Sequence, residues 1–166
     1  MPEKITVLDH DRVQRKLERI AHQLYEENFE EKGIVLIGIA ERGPLLVKRL
    51  ARRLEEISPL EVTTAVIELD KDAPLERPVG LSIDAKLLRG KVVVLVDDVL
   101  MSGRTLMHAA AHLVQAPLKK LVTVVLVDRM HRTFPIRADI VGLTLSTTLQ
   151  EHISVELGRK DAVYLS

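Results

Sequence analysis

The sequence predicts an α/β protein in which a central parallel sheet is flanked by helices. Short apolar runs rich in β-branched residues alternate along the chain with segments that repeat apolar residues at helical spacing. Strands that alternate with helices form parallel sheets through right-handed crossovers. The length of 166 residues suits one hydrophobic core. We therefore expect a single domain over residues 1–166.

Three segments have the spacing of amphipathic helices. The first, residues 9–29, places an apolar stripe at Val13, Leu17, Ile20, Ala21, Leu24 and Tyr25. Asp9 or Asp11 is a suitable N-terminal cap for it. The second, residues 44–57, opens with Pro44, a favoured residue of the first helical turn. The third covers residues 104–116, so all three helices lie between predicted strands or before the first one.

Four apolar runs are predicted strands, and the rest of the chain connects or covers them. The runs are residues 34–40, 61–69, 91–98 and 120–129, and the continuous apolar character of the first and third indicates buried strands. The polar, proline-rich stretch after the second run predicts a flexible loop over about residues 70–82. The C-terminal segment, about residues 129–166, is expected to form short strands and turns that make a small hood or an extra edge of the sheet.

Composition disfavours a nucleic-acid-binding, disulfide-stabilised or membrane-spanning protein. Lys plus Arg and Asp plus Glu both number 24, so the chain as a whole has no electrostatic attraction to nucleic acid or to acidic membranes. It has no cysteine, and only four of its residues are aromatic, namely Tyr25, Phe29, Phe134 and Tyr164. No apolar run is long enough for a membrane span, and no signal peptide is evident. We expect a soluble, cytoplasmic protein.

A pair of adjacent carboxylates ends the third apolar run. Asp97 and Asp98 precede a small turn, Met101 to Thr105, that supplies two hydroxyl groups, a cation and backbone N–H groups at a helix start. Such a turn has the composition of a phosphate site. Ligands of open α/β sheets bind at the carboxyl ends of strands. Carboxylates beside an anion site suit a ligand that carries both hydroxyls and phosphate, such as a ribose phosphate.

Other motifs are absent or incomplete. Gly38 and Gly43 have the glycine spacing of a P-loop, but Pro44 and Leu45 stand where lysine and serine or threonine are required. No GxGxxG motif occurs. His108 and His112 lie four residues apart on a predicted helix without the glutamate of HExxH, which disfavours a zinc site. His131 lies in a charged segment, which suits a catalytic or metal-binding histidine and a salt-bridged surface loop equally well.

The motif VVLVDDVLMSGRT, Val93 to Thr105, resembles the phosphoribosyl-pyrophosphate motif of type I phosphoribosyltransferases. The segments RIAHQL, IVLIGIAERGPLLVKRLA and LVDRMHRTFPIRADIVG extend the resemblance over most of residues 9–164. Within that family they are most similar to the pyrimidine operon attenuation regulators, which are also uracil phosphoribosyltransferases. The resemblance implies a parallel sheet, a hood and a flexible loop that closes over the active site.

The resemblance also implies a role for individual residues. Asp97 and Asp98 would hold the ribose hydroxyls, and Arg42 would draw off charge from the leaving pyrophosphate, so these three are the expected catalytic residues. The expected substrate-binding residues are Glu41, Arg42, Gly43, Asp97, Asp98, Val99, Met101, Ser102, Gly103, Arg104, Thr105 and Arg137. Mg²⁺ is the implied cofactor, carried by the donor and by water, with Asp97 or Asp98 reaching it through water rather than by direct ligation.

Two departures from the family pattern bear on the substrate. The loop segment ELDKDAPLERPVG is shorter than that of the regulators and lacks their Tyr-Arg-Asp-Asp stretch. Lys71 and Arg77 are the candidates to replace the missing loop residues that stabilise the leaving pyrophosphate. Met101 takes the place of a tyrosine in the regulators and of an aspartate in the 6-oxopurine enzymes. The aspartate attends a purine ring, so Met101 favours uracil, with Arg137 organising the base pocket and backbone groups of Leu145 to Thr147 meeting the base.

Several alternatives stay open at this point. The chain is expected to transfer ribose 5-phosphate from phosphoribosyl pyrophosphate to uracil, or instead to be an RNA-binding attenuation regulator or a donor sensor with little catalysis, or a purine phosphoribosyltransferase. Arg12, Arg15, Lys16 and Arg19 of the first helix are candidate RNA contacts. A homodimer is expected from the apolar stripe of the first helix and from Leu45, Leu46, Leu50 and Leu54 on the second.

Overall fold

Strands and helices alternate along the chain in the computed structural model, which describes residues 3–166. The strands are β1 (Ile5–Leu8), β2 (Gly33–Ile39), β3 (Glu61–Glu68), β4 (Gly80–Leu81), β5 (Val92–Leu100), β6 (Lys120–Asp128), β7 (Ile140–Thr144), β8 (Ile153–Glu156) and β9 (Ala162–Leu165). The helices are α1 (His10–Asn28), α2 (Gly43–Ile57) and α3 (Arg104–Leu113), with a 3₁₀ turn at Ala85–Leu88. The predicted α/β class is confirmed.

The central sheet has six strands in the order β4-β3-β2-β5-β6-β7. All neighbours are parallel except β3 and β4. Alternate residues of β5 point to opposite faces: Val94 joins the apolar cluster beneath α1 and α2, and Leu95 joins the cluster beneath α3. Both faces of the strand are therefore dry, which explains its unbroken apolar run.

The apolar stripes of α1 and α2 pack into this core. Leu46, Leu50 and Leu54 are almost fully buried, and Leu45 alone of the four leucines on α2 is exposed. The buried stripe of α1 packs against the same cluster. The argument from these leucines to a dimer surface is therefore wrong, because the side chains stabilise the fold of the single chain.

The C-terminal hood is built differently from the expected segment of about residues 129–166. β7 is a strand of the central sheet, parallel to β6, and not part of the hood. The hood sheet has the order β1-β9-β8, so one of its two outer strands, β1, comes from the opposite end of the chain. Four residues are too few to show an alternating pattern, and β1 owes its conformation to pairing with β9.

The loop expected over about residues 70–82 is partly ordered by local hydrogen bonds. Asp70 Oδ1 accepts the backbone N–H groups of Asp72 and Ala73 at 3.0 and 3.1 Å. β4 returns the chain to the edge of β3, where Gly80 pairs with Glu68. The turn at the root of the loop therefore has a defined shape, while the flexibility of the segment stays a prediction.

Candidate active site

Asp97 and Asp98 lie inside β5 rather than in the loop after it. The strand continues to Leu100, with Asp97 opposite Val125 of β6. Both residues are buried, at 4% and 8% exposure. One oxygen of each carboxylate accepts the N–H group of the next residue at 2.8 Å. The remaining oxygen of Asp98 lies 3.6 Å from Nη1 of Arg42.

The environment of Asp97 disfavours its charge. Burial raises the pKa of Asp97 well above its usual range, and the neighbouring charge of Asp98 raises this pKa further. The ammonium group of Lys71 acts in the opposite direction on the same pKa. Two adjacent carboxylates in a buried strand end are unfavourable for folding alone, which supports the prediction that a ligand compensates them.

We refer to the turn after β5, Met101 to Thr105, where a phosphate site is predicted, as the anion cradle. The backbone N–H of Arg104, at the start of α3, donates to Ser102 Oγ at 3.2 Å. Gly103 has φ +84°, a conformation that favours glycine. A Cβ atom at Gly103 would lie 2.7 Å from Cγ2 of Ile136, so the turn rests directly on the segment between β6 and β7.

Arg132 holds this turn in place. Its Nη1 donates to Met101 O at 2.8 Å, its Nη2 to Asp128 Oδ2 at 2.7 Å and its Nε to Ile136 O at 2.8 Å. The carbonyl of Ser102 accepts two further backbone N–H groups from the same segment. The charged segment around His131 is thus a salt-bridged loop, as one of the two interpretations predicts, and it also supports the turn.

The turn between β2 and α2 brings Arg42 to the same site. A Cβ atom at Gly38 would lie 2.4 Å from the backbone carbon of Gly43, so the two glycines allow the turn to fold onto its own strand. A cis peptide bond joins Ala40 and Glu41. The Arg42 side chain is half-exposed and reaches Asp98, whereas Glu41 and Gly43 do not line the cleft.

A single cleft of about 520 Å³ collects most of the expected site residues at the carboxyl end of the sheet. Those that line it are Arg42, Asp97, Asp98, Val99, Met101, Ser102, Gly103, Arg104 and Thr105. Lys71 and Asp72 of the loop line it as well, and His152 and Ile153 line it from the hood. The other proposed loop cation, Arg77, lies 3.9 Å from Asp70 and is not part of the lining.

Arg137 does not reach the cleft, so its expected role in the base pocket is wrong. Its side chain is exposed, and its carbonyl accepts the hydroxyl of Thr123 at 2.9 Å. Thr123 precedes Val125, the residue opposite Asp97, so Arg137 lies toward the amino end of the sheet. A segment without regular structure connects β6 to β7, and its direction cannot be deduced from residue spacing.

Arg129 is the cation that the hood side of the cleft contains instead. It is 7% exposed and follows β6 directly. Its guanidinium group bonds to the hood loop at Thr147, Thr148 and Glu151. His131 Nε2 lies 2.6 Å from Thr147 O, so this carbonyl already has a partner. The only sequence signal for Arg129 was its place directly after a buried strand.

The carboxylate pair suits a hydrated Mg²⁺ that arrives with a phosphorylated ligand. Within residues 3–166, no three His, Cys, Asp or Glu side chains come together as a protein cage for a metal ion. Mg²⁺ commonly binds through one or two carboxylates together with substrate phosphates and water. Asp97 and Asp98 fit that mode, since their charges lie beside the anion cradle.

His108, one of the two histidines four residues apart on α3, packs edge-on against Phe134, with ring centroids 6.1 Å apart.

The fold and this cleft define a protein class that binds a phosphorylated sugar at the carboxyl end of a parallel sheet. Residues 6–160 match the phosphoribosyl transferase domain family, and the chain belongs to that family. Among the characterised relatives, it is 40% identical to the Bifunctional protein PyrR of Alkaliphilus metalliredigens, over 99% of this chain and 96% of that protein. It is 36% identical to the Bifunctional protein PyrR of Bacillus subtilis, over 97% and 94%.

Solved structures agree with the family assignment. A hypoxanthine-guanine phosphoribosyltransferase of Bacillus anthracis superposes with a TM-score of 0.70 at 26% identity, covering 88% of this chain and 85% of that chain. The hypoxanthine phosphoribosyltransferase of Trypanosoma cruzi gives a TM-score of 0.75 at 18% identity, covering 84% and 81%, and shows the shared fold. No helix in residues 3–166 has the length and apolar character that a membrane crossing requires.

Proposed function

We propose that this chain transfers ribose 5-phosphate from phosphoribosyl pyrophosphate to uracil, releasing pyrophosphate and forming UMP. One observation carries the proposal: a buried pair of carboxylates and a glycine-containing anion cradle line the same cleft, together with Arg42. The two carboxylates match the hydroxyls of a ribose, and the cradle matches its 5-phosphate. Both groups occur on one phosphoribosyl donor.

In this proposal each part of the cleft has a separate task. Asp97 and Asp98 accept hydrogen bonds from the ribose hydroxyls, and the backbone N–H groups of Ser102, Gly103 and Thr105 bind the 5-phosphate, while that of Arg104 donates to Ser102 Oγ. Arg42 stabilises the pyrophosphate as its negative charge develops. Glu41 and Gly43 contribute only through the backbone of the turn that carries Arg42, because they do not line the cleft.

The proposed reaction forms a bond between C1 of the ribose and a ring nitrogen of uracil while the bond from C1 to the pyrophosphate oxygen breaks. The ring nitrogen gives up its proton to water or to the departing pyrophosphate, and both bonding electrons of the broken bond leave with pyrophosphate. Positive charge develops on the ribose, and the nearby carboxylates favour it. Bound Mg²⁺ would neutralise phosphate charge, and Asp97 and Asp98 are the residues that would hold it through water.

Uracil is proposed as the acceptor because of Met101. This residue lines the cleft at the start of the turn and is 45% exposed. It offers no carboxylate to a purine ring, and the resemblance of the hood segment to the uracil-using regulators points the same way. The several relatives named Bifunctional protein PyrR support this assignment within the phosphoribosyltransferase family.

Pyrophosphate release tests the proposed function. The protein, phosphoribosyl pyrophosphate and Mg²⁺ are mixed with uracil, cytosine, guanine, hypoxanthine or adenine in separate reactions. We expect steady release with uracil alone. Turnover of hypoxanthine or guanine without uracil would replace the pyrimidine assignment by the purine one. Donor binding without turnover of any base would instead identify a donor sensor.

RNA binding is a second candidate function, supported by a groove outside the active-site cleft. Arg12, Arg15, Lys16 and Arg19 line this groove beside Val7, Leu8, Leu143 and Leu145. Arg19 already donates to the carbonyls of Val141 and Gly142 at 2.9 and 2.8 Å, which leaves three cations for phosphates. Measured affinity for RNA should fall steeply as salt increases, and Arg15→Gln should reduce the slope by about one charge.

A further inference from the structure

Met101 places a thioether sulfur in the cleft, in contact with a buried cation. The residue lines the cleft and is 45% exposed. Nη1 of Arg129 donates to Sδ of Met101 at 3.1 Å. A thioether sulfur is a weak acceptor, whereas oxidation to the sulfoxide makes the side chain polar and gives it an oxygen atom that accepts strongly. Oxidation of this sulfur would therefore turn a weak contact into a strong hydrogen bond.

The guanidinium group of Arg129 is a fixed donor that lacks a strong acceptor on the side of Met101. Its Nε and Nη2 donate to oxygen atoms of the hood loop, residues 147–151, so its orientation is set. Among the described residues 3–166, no Asp or Glu side-chain oxygen lies within 4.0 Å of the group. A buried charge without an opposite charge is unfavourable unless hydrogen bonds satisfy its donors. Nη1 is therefore a preformed partner for an oxygen atom carried by Met101.

Met130 offers a control, because it is exposed in a different environment. It is 62% exposed, more than Met101, and it follows Arg129 directly. Its hydrogen bond to Asp128 Oδ1, at 2.9 Å, comes from the backbone N–H and does not involve the sulfur. The two methionines thus compare an exposed sulfur beside a guanidinium group with an exposed sulfur alone.

We propose that Met101 is a site of reversible oxidation by peroxides, and that its sulfoxide oxygen binds Nη1 of Arg129 and closes the hood side of the cleft. A lone pair of Sδ forms the bond to one peroxide oxygen while the O–O bond breaks. The proton of the transferred oxygen passes to the departing hydroxide, which leaves as water, so the sulfur is oxidised and the peroxide is reduced. The unbranched side chain then turns its new oxygen toward the guanidinium group.

The contact with Arg129 also decides which epimer of the sulfoxide forms. A thioether sulfur has two lone pairs, and the N–H group of Nη1 occupies one of them. Peroxide therefore attacks the other lone pair, and one configuration at the sulfur of Met101 results. Met130 has no such restriction and should give both epimers. Separate reductases act on the two epimers, which makes the difference measurable.

Limited treatment with hydrogen peroxide, followed by digestion and peptide mass analysis, tests the site. The peptides are incubated with methionine sulfoxide reductase A or B alone. We expect one of the two enzymes to restore Met101 completely, whereas Met130 needs both. In Arg129→Leu, Met101 should need both as well. Met101 that stays unoxidised while Met130 is oxidised, or that gives both epimers in the wild type, overturns the proposal, and these outcomes decide it even if Arg129→Leu does not fold.

Calorimetric affinity for uridine monophosphate measures the closure of the cleft, a readout that rests on the proposed function. Oxidised wild type should bind this nucleotide roughly tenfold or more weakly than untreated protein, because a charge-assisted hydrogen bond must first be broken. Met130→Leu should show the same loss, and Met101→Leu should bind equally well before and after peroxide. Equal affinity of both wild-type forms, or a loss that persists in Met101→Leu, overturns the closure. A wild type that binds no nucleotide before oxidation defeats the proposed function and the closure, while the epimer result still decides the oxidation site.

Discussion

At the scale of single residues, the site is built around Asp97, whose surroundings oppose its ionised form. The carboxyl group has almost no access to water and has Asp98 as its next neighbour in the strand. A core position that folding alone had shaped would carry an apolar residue here, as Val94 and Val96 do on the same strand. Asp97 is therefore expected to lower the stability of the ligand-free protein, which agrees with its proposed role in binding.

This environment has a defined effect on stability as pH changes. The folded-state pKa of Asp97 is raised above its unfolded value of about 3.9, so the folded protein binds the proton more tightly. The stability associated with the protonated form is fully present below about pH 3.9 and is lost as pH rises through the folded pKa. Asp97→Asn should therefore be more stable than the wild type at pH 7, by a margin that grows from pH 4 upward.

Urea denaturation of both proteins across that pH range measures the margin. The difference between the two unfolding free energies cancels the contributions of titrating groups that do not interact with Asp97, whereas the charge of Asp98 remains part of the measured effect. Curves that run parallel at every pH would contradict a raised pKa for Asp97.

Donor binding is expected to depend on Asp98 and Arg104. Asp98→Asn removes a charged acceptor of the ribose hydroxyls, and Arg104→Ala removes a cation beside the phosphate cradle. Each should weaken binding of phosphoribosyl pyrophosphate by about 1.5–3 kcal/mol. Calorimetry measures the affinity, and circular dichroism checks that both variants are folded. Wild-type affinity in both folded variants would remove these residues from the donor site.

At the scale of elements, the sequence predicted the structures that local pattern determines. β5 and β6 are continuous apolar runs with both faces buried, so their composition alone identifies them. β1 and β4 have four and two residues, and only pairing with distant strands makes them extended. The same distinction separates the carboxylate pair, which follows a recognisable strand, from Arg129, whose bonds to the hood depend on tertiary contacts.

The cradle depends on Gly103, and Gly90 provides a matched control. Both glycines have positive φ, +84° and +70°, but a Cβ atom at Gly90 would meet nothing within 4 Å. Gly90→Ala should lose only about 1 kcal/mol of unfolding free energy, from the left-handed backbone. Gly103→Ala adds a clash with Ile136 and should lose more stability together with donor affinity.

Thermal unfolding and calorimetric binding of phosphoribosyl pyrophosphate are measured for both alanine variants. Equal donor affinity in Gly103→Ala and Gly90→Ala would show that the cradle does not need its close contact with the segment between β6 and β7.

At the scale of the whole molecule, Asp161 joins the hood to the helices. It is 2% exposed, and its carboxylate accepts from Arg49 Nη1 on α2 at 2.7 Å and from Gln14 on α1 at 2.7 Å. The backbone N–H of Gly158 donates to it at 2.9 Å. The hood is therefore anchored to the same helix, α2, that begins beside Arg42, although the two parts lie far apart in sequence.

A homodimer stays a prediction, to be checked by light scattering at micromolar concentration.

Loss of this anchor should destabilise the protein without touching the cleft. Asp161→Ala leaves Arg49 and Gln14 without their acceptor and should lower the unfolding free energy by about 2–4 kcal/mol. Arg52→Ala breaks only an exposed pair with Glu56 and should change it by less than about 0.5 kcal/mol. Chemical denaturation compares the two. Similar small losses in both variants would mean that other contacts hold the hood.

The pairing of β5 with β6 has a consequence for how the reactants meet. In the proposed reaction the donor binds the carboxylates of β5, and β6 with the residue that follows it forms the neighbouring wall of the same cleft. Neighbouring strands lie about 4.8 Å apart. If a base binds on the β6 side, its effective molarity at the ribose carbon depends on the main-chain hydrogen bonds between the two strands as well as on the loops.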